Sequence, residues 1–501
     1  MRIVQNSQML IGEVDISQVK FDLKSRDDIP RILRGLQHLH QNAPLQEKIF
    51  ELLEAGISPK VSKHNGRPGM TLWRIFVCGV VRLDLNADYD RLHELVNQHI
   101  TLREMLGHGP FDDKNYKYQT LVDNVSLFTP ELLGKINQVV VDGGHVLVQK
   151  KEGEALRGRC DSFVVETDVH YPTDINVLND AMRKTITHTA QLCEEHEVSD
   201  WRQHAYNVRH IKRLMRSAQN KKRSKAKSEE QKKKNEVLIV KAHQELLDVA
   251  EHYLQKAKDT IVMLEQSGFT SEFDVLKKME IEGFMQHATR QIDQIKRRVM
   301  LGEVIPHEEK VFSIFEPHTE WISKGKAGVP VELGIKVCIL EDQHQFILHH
   351  RVMENETDDK VAVSMVVEAK EKFPNLNACS FDKGFHSPEN QATLKEKLEQ
   401  VVLPRKGKLS RLAKDAEQTE PFMKARHAHS AVESAINALE VHGLDMCPDH
   451  GIDGFKRYVA FAVVARNIHR IGDILWKREQ EREQRKLKRN SGCSPPFKQA
   501  A

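Results

Sequence analysis

Apolar residues recur every three or four positions from Ile29 to about Ala55: Ile32, Leu33, Leu36 and Leu39, then Leu45, Ile49, Leu52 and Leu53. That spacing predicts amphipathic helices. The loop Lys63 to Gly69 precedes a further helix from Met70 through Leu83. Leu92, Leu95, Val96, Ile100, Leu102 and Met105 carry the same pattern on to Gly107. Tyr118 to Val148 holds at least one more helix, around Pro130-Glu-Leu-Leu. Residues 1–150 thus read as an all-helical N-terminal module.

At Cys160 the period changes. β-Branched and aromatic residues cluster from Phe163 to Val169, inside Asp161-Ser-Phe-Val-Val-Glu-Thr-Asp168, which reads as a strand ending in an acid. Pro172 breaks it, and a helix begins at Asn176. From about Thr187 to Met300 the chain is helical and highly charged, and two or three long helices packed as a hairpin fit the repeats Val237 to Val262 and Phe273 to Val299. Strands return at Val311–Phe315, Val331–Leu340 and Gln345–Val352, the last two joined by a hairpin turn. A helix over Asp359–Phe373, a short strand closing at Asp382, a helix over Pro388–Leu398 and a strand at Val401 follow. Lys424 to Glu440 reads as one helix with an apolar stripe of Val432, Ala435, Ile436 and Leu439, and Gly443 stands just past it, where a left-handed cap belongs. A long helix, Phe455 to about Trp476, and a charged tail over 476–501 complete the pattern.

The predicted class is α-rich mixed α/β: a mixed sheet split between 155–186 and 305–475, interrupted by a charged helical insertion over 187–304. Charged residues make up 29% of the chain and aromatics 6%, and no run of about eighteen apolar residues occurs, which excludes a helical membrane protein. The first residues lack an apolar signal core, and the seven cysteines include no Cys-x-x-Cys pair. Both features suggest a reducing, cytoplasmic setting. The net charge is only +3, but it is unevenly spread. The run Lys221-Lys222-Arg223-Ser-Lys-Ala-Lys is either a solvated loop or a surface for a nucleic-acid backbone. The same two readings apply to the glycine-containing loop Lys60 to Arg67 and to Lys324 and Lys326. Cys447-Pro-Asp-His450 has half the spacing of a zinc site, without a second pair.

Asp168 and Asp382 each stand at the carboxyl end of a predicted strand, where an open mixed sheet gathers its ligands. Glu433, on the helix that follows, is placed to close over them. Glu166, two residues before Asp168, shares its sheet face. Three carboxylates facing one point cannot all stay ionised without a cation. Hard oxygen ligands suit magnesium or manganese, and a pair of such ions activates water or a 3′-hydroxyl towards a phosphodiester.

Four stretches carry a resemblance. These are Glu166-Thr-Asp168-Val-His-Tyr-Pro-Thr-Asp, Ile322-Ser-Lys-Gly-Lys-Ala-Gly-Val-Pro-Val-Glu-Leu-Gly, Phe381-Asp382-Lys-Gly-Phe-His-Ser-Pro and Arg426-His-Ala-His-Ser-Ala-Val-Glu433. In order and context they resemble the DDE transposases of bacterial insertion sequences, closest to the ISNCY group, over roughly residues 155–475. The resemblance implies an RNase H-like catalytic domain, with Asp168, Asp382 and Glu433 as a metal-binding triad that holds two magnesium or manganese ions. It implies cleavage and strand transfer of element ends, with terminal inverted repeats and target DNA as partners and a homodimer or larger assembly on DNA. The N-terminal module would then bind DNA, with Arg67, Lys221, Lys222, Arg223, Lys324, Lys326, Lys383, Arg405, Lys406 and Arg426 as candidate backbone contacts. Around the glutamate the chain departs from related transposases: Ser430 and Glu440 occupy the flanking positions, with His429 and Arg426 on that face. His429 either touches the scissile phosphate, supports Glu433, or is a helix-surface histidine. Two other readings are a nuclease without strand transfer and an inactive DNA-binding scaffold.

Overall fold

The computed structural model describes residues 2–6, 8–9, 12–56, 69–148, 154–223, 228–268, 271–323, 330–408 and 410–491. The fold is mixed α/β and helix-rich, with an open mixed sheet. Its strands are β1 (Leu156–Thr167), β2 (Glu320–Ser323), β3 (Val331–Glu341), β4 (Ile347–Met353), β5 (Leu376–Phe381), β6 (Gln400–Val402) and β7 (Met446–Cys447). The chain divides into two compact units, Met1–Asp168 with Gly334–Ala501, and Val169–Leu333. No described helix is long and apolar enough to cross a membrane.

In the first unit β1 is the central strand. One of its edges pairs antiparallel with β3, from Arg159 opposite Glu341 to Glu166 opposite Gly334, and β3 pairs antiparallel with β4. The other edge pairs parallel with β5 over Leu156 to Cys160, and parallel with β7 only at Glu166 and Thr167. Between these two partners the β1 edge runs from Asp161 to Val165 without a ladder to either strand. β6 continues the parallel set beyond β5.

The N-terminal helices are not a separate module. Helices Ile29–Gln41, Leu72–Asp84 and Pro130–Leu147 pack on the C-terminal helix Gly451–Ser491, and all share one continuous apolar core with the sheet. Helix Leu72–Asp84 reads apolar on almost every side because nearly every residue in it is buried. The first and last helices cross very closely. A Cβ at Gly472 would lie 2.0 Å from the Arg31 carbonyl oxygen, and one at Gly35 would lie 2.3 Å from that of Ile468, so both positions require glycine. Asn467, fully buried, ties the C-terminal helix to the sheet: its side chain accepts from the Ile347 amide at 2.9 Å and donates to the Ile347 carbonyl at 2.9 Å and to Asn137 at 2.7 Å. Such a network is satisfied at every polar atom it uses, so it fixes register without an unpaired group.

A cluster of buried Asp84 and His469 with half-buried His442 joins helix Leu72–Asp84 to the C-terminal helix. His469 Nδ1 lies 2.9 Å from the Asp84 carboxylate, and His442 Nδ1 contacts the Asp84 carbonyl. Burial opposes charging of His469, but the adjacent Asp84 outweighs it and holds the imidazole above its ordinary pKa. The raised value means that its stabilising contribution is complete below the unfolded pKa of about 6.5 and is lost as pH rises through the folded value. Urea unfolding at about pH 6 and about pH 8.5 should therefore show a loss of stability at the higher pH that His469→Gln reduces. An equal pH dependence in the variant would contradict this assignment.

The second unit packs helices Asp174–Glu195, His204–Arg223, Glu229–Gln266 and Glu272–Ile295 around its own apolar cluster. Three of these helices start at side-chain caps, as expected for polar residues before apolar periods. Thr173 and Ser228 accept from the amides of Asn176 and Gln231, and Ser271 with Asp274 forms a capping box. The unit is wider than the predicted 187–304 insertion, because the helix that starts at Asp174 and the segment up to Leu333 belong to it. The strand expected at Val311–Phe315 is absent. Ser313 Oγ there accepts from the amides of Phe315 and Glu316 at 3.2 and 3.0 Å, and this local turn displaces a ladder.

Candidate active site

The register of β1 against β5 defines the site. Cys160 pairs with Phe381, so the next residues, Asp161 and Asp382, stand side by side where β5 ends. Asp382 keeps extended backbone, φ −75° and ψ 166°, before the turn Lys383–Phe385. Neighbouring positions on adjacent strands lie about 4.8 Å apart and project to the same face. Asp161 is half-buried and Asp382 exposed.

Asp161 carries the electrostatic signature of a carboxylate cluster. Its pKa is pushed up to about 6, first by burial and then by the charges of Asp382, Asp358 and Glu433; the Ser162 amide, donating to Asp161 Oδ1 at 2.8 Å, opposes the shift. Glu433, exposed on the helix Ala431–Leu439, thus lies within electrostatic reach of Asp161. Asp358, at the start of helix Asp358–Lys372, is engaged otherwise: it accepts from Ser162 Oγ at 2.7 Å and from Lys336 Nζ at 3.1 Å. Asp358 is therefore neutralised by a lysine, whereas Asp161, Asp382 and Glu433 form a group of oxygen donors of the kind that holds magnesium or manganese.

The glutamate segment differs from the single helix read in the sequence. It is two helices, Glu420–His429 and Ala431–Leu439, broken at Ser430, whose hydroxyl donates to the His427 carbonyl at 2.8 Å. The break lies between His429 and Glu433. Gly443 follows in the left-handed region, φ 105°, as its position past the helix suggested. His429 Nδ1 is 3.0 Å from Ser380 Oγ, while its Nε2 is shielded from solvent and has no hydrogen-bond partner. Burial lowers the His429 pKa, against the opposing pull of Asp382 and Glu433, so the ring is neutral at pH 7.

Asp168 is not brought to this site. It is exposed beyond the end of β1, seven residues from Asp161, which at strand rise is about 20 Å or more. The first acid of the constellation is Asp161, in the middle of a strand rather than at its end. Glu166 lies near that far end as well, where it pairs with β7. Asp161 is one of two carboxylates in β1, the other being Glu166, and its partner becomes visible only in the register.

The predicted DNA contacts fall into four groups. Arg67, Lys324 and Lys326 lie outside the described residues. Lys383 and Arg426 are exposed beside the site, on the turn after Asp382 and on the helix that ends at His429. Lys406 donates to the Gly384 carbonyl at 2.7 Å and steadies that turn, and the Arg405 amide donates to Glu417 at 3.0 Å. Lys221 and Lys222 are exposed near the end of helix His204–Arg223 in the second unit, and Arg223 closes that helix. The Cys447-to-His450 motif is structural at two of its positions: the buried Cys447 thiol contacts the Asp449 carbonyl, and Asp449 pairs with Arg82 at 2.7 Å.

Comparisons with protein-family models, with curated proteins and with solved structures return no match.

Proposed function

We propose that this chain is a metal-dependent DNA transposase with an RNase H-like catalytic domain, in which Asp161, Asp382 and Glu433 form the carboxylate triad. The observation that carries the reading is the placement of Asp161 beside Asp382 on parallel strands, with Glu433 in electrostatic reach. The motif resemblance around Asp382 and Glu433 supports the same chemistry. The triad would hold magnesium or manganese, which when bound activates a water or 3′-hydroxyl and stabilises the leaving oxygen of a phosphodiester.

The protein's own groups have separable tasks. Burial of Asp161 keeps its carboxylate in a restricted, partly desolvated position. The neutral His429, with Nε2 shielded and unpartnered, offers a hydrogen bond to a phosphate oxygen next to Asp382 and Glu433. Lys383 and Arg426 flank the site with positive charge for the DNA backbone. The partners in this reading are the element's terminal inverted repeats and target DNA, with a homodimer or larger assembly bringing two ends together in the bacterial cytoplasm.

The test is incubation of the full chain with DNA flanking its encoding gene and with magnesium. End cleavage, and joining of pre-cleaved ends to a target, are the expected products. Cleavage without joining would replace transposase by nuclease, and neither product would overturn the enzymatic reading.

A further inference from the structure

The second unit contains a cavity of about 360 Å³ lined by aromatic and cationic side chains. Tyr171 and Trp321 meet edge to face with ring centres 5.7 Å apart, and the Phe312 ring centre lies 5.7 Å from that of Trp321. None of the three rings belongs to either apolar core. Tyr171 is 59% exposed, and Phe312 and Trp321 are half-buried. Three large rings left outside a core, on connecting segments and a short strand, are not explained by packing.

Lys222, Arg298 and Lys310 line the same cavity from three separate segments. Asp174 pairs with Arg298 at 2.8 Å and neutralises one of these cations. The remaining charge is crowded: although the Lys222 side chain is largely exposed, partial desolvation of its ammonium and then Arg298 lower its pKa, against the pull of Asp174. An excess of cations beside exposed ring faces fits a ligand with both a phosphate and a planar π-system.

We propose that this pocket binds an unpaired nucleotide of single-stranded DNA, its base stacked on the Tyr171–Trp321 pair and its phosphate on Lys222, Arg298 and Lys310. The volume falls within the roughly 300–1,000 Å³ of small-molecule pockets, enough for one recessed base and too little for a duplex. A paired base is held in its stack and cannot enter, so duplex DNA meets this unit only through its phosphates. The proposal rests on the transposase reading for the source of such a strand, the frayed or cleaved end of an element, but binding is measurable without cleavage.

The test is fluorescence anisotropy of the full-length chain with a labelled oligothymidylate, an abasic strand of equal length and a duplex. Trp321→Ala should weaken oligothymidylate binding about 5- to 150-fold, the range set by one base stacked on an aromatic ring, and leave the abasic strand and duplex within about twofold. Trp321→Phe should retain most of the affinity, which excludes misfolding as the cause. The double variant Lys222→Ala with Lys310→Ala should weaken all three ligands and flatten their salt dependence. The titration is run without magnesium and reads binding alone, so failure of the pocket is distinguishable from failure of the catalytic reading. Unchanged oligothymidylate affinity in Trp321→Ala would overturn the proposal. So would wild-type binding of the abasic strand as tight as that of oligothymidylate, the result expected of a pocket for acidic peptide or phosphate alone.

Discussion

Replacing Asp161 by asparagine lowers the proposed DNA end cleavage on the order of 10³-fold or more, while Asp168→Asn stays within about threefold of wild type. The contrast follows from the strand register. Asp161 adjoins Asp382 where β5 ends, and its pKa is raised first by burial and then by the negative charges of Asp382, Asp358 and Glu433. Asp168 is exposed and seven residues further along. Asparagine keeps the shape of Asp161 and the hydrogen bond from the Ser162 amide, so the loss reads the missing charge rather than a changed fold. Asp382→Asn and Glu433→Gln should match Asp161→Asn, and a double variant should be no worse than either single, because the three act as one ligand set. DNA binding, which depends on cations elsewhere, should remain near wild type. Gel assays of cleavage and of DNA binding on the same preparations check both halves of the expectation.

Arg82→Ala should cost about 3–5 kcal/mol of stability, the largest loss expected from any single ion pair in the first unit. Arg82 is 2% exposed; its guanidinium donates to both oxygens of Asp449, at 3.2 and 2.7 Å, and lies 3.8 Å from the centre of the Tyr89 ring. Alanine would leave the Asp449 carboxylate buried with, among the described residues, only Arg457, at 3.8 Å, to balance it. It would also leave a void between Tyr89 and Tyr458, the second ring that Arg82 covers. The damage therefore comes chiefly from the stranded charge, and the double variant Arg82→Met with Asp449→Leu should recover a large part of it. Urea denaturation of the three variants measures this directly. Asp449 stands two residues beyond β7, so loss of the pair also loosens the strand that caps the far end of β1.

The elements of the fold were largely legible where one period dominated. The amphipathic repeats between Ile29 and Ala55 became two helices, Ile29–Gln41 and Ala43–Ala55, and the apolar run Val331–Leu340 became β3. The partition into units was less legible, because a helix shows in its sequence that one face is buried but not what buries it. The N-terminal helices bury their stripes against Gly451–Ser491, more than 300 positions away. Val311–Phe315 had strand composition but was taken by the Ser313 turn. In the candidate site, Asp382 and Glu433 could be read from their places after a strand and on a helix. Asp161 could not, since nothing local distinguishes a mid-strand aspartate beside a parallel partner from one that merely faces solvent. Parallel register is a tertiary property, and in the proposed centre it puts Asp161 in the place read for Asp168, seven positions later. The Tyr171, Phe312 and Trp321 pocket was hidden for the same reason, because its rings are scattered over about 150 residues and meet only in the folded unit.

The most direct test of the central claim, that Asp161 and not Asp168 completes the carboxylate centre, is a manganese titration of the metal-free full chain followed by electron paramagnetic resonance. Wild-type protein should bind the ion with an affinity that rises as pH increases through about 6, because Asp161 must lose its proton to serve as a ligand. Asp168→Asn should bind as wild type does, and Asp161→Asn should bind at least about tenfold more weakly, without the pH dependence in that window. Wild-type manganese affinity in Asp161→Asn, or its loss in Asp168→Asn, would contradict the account.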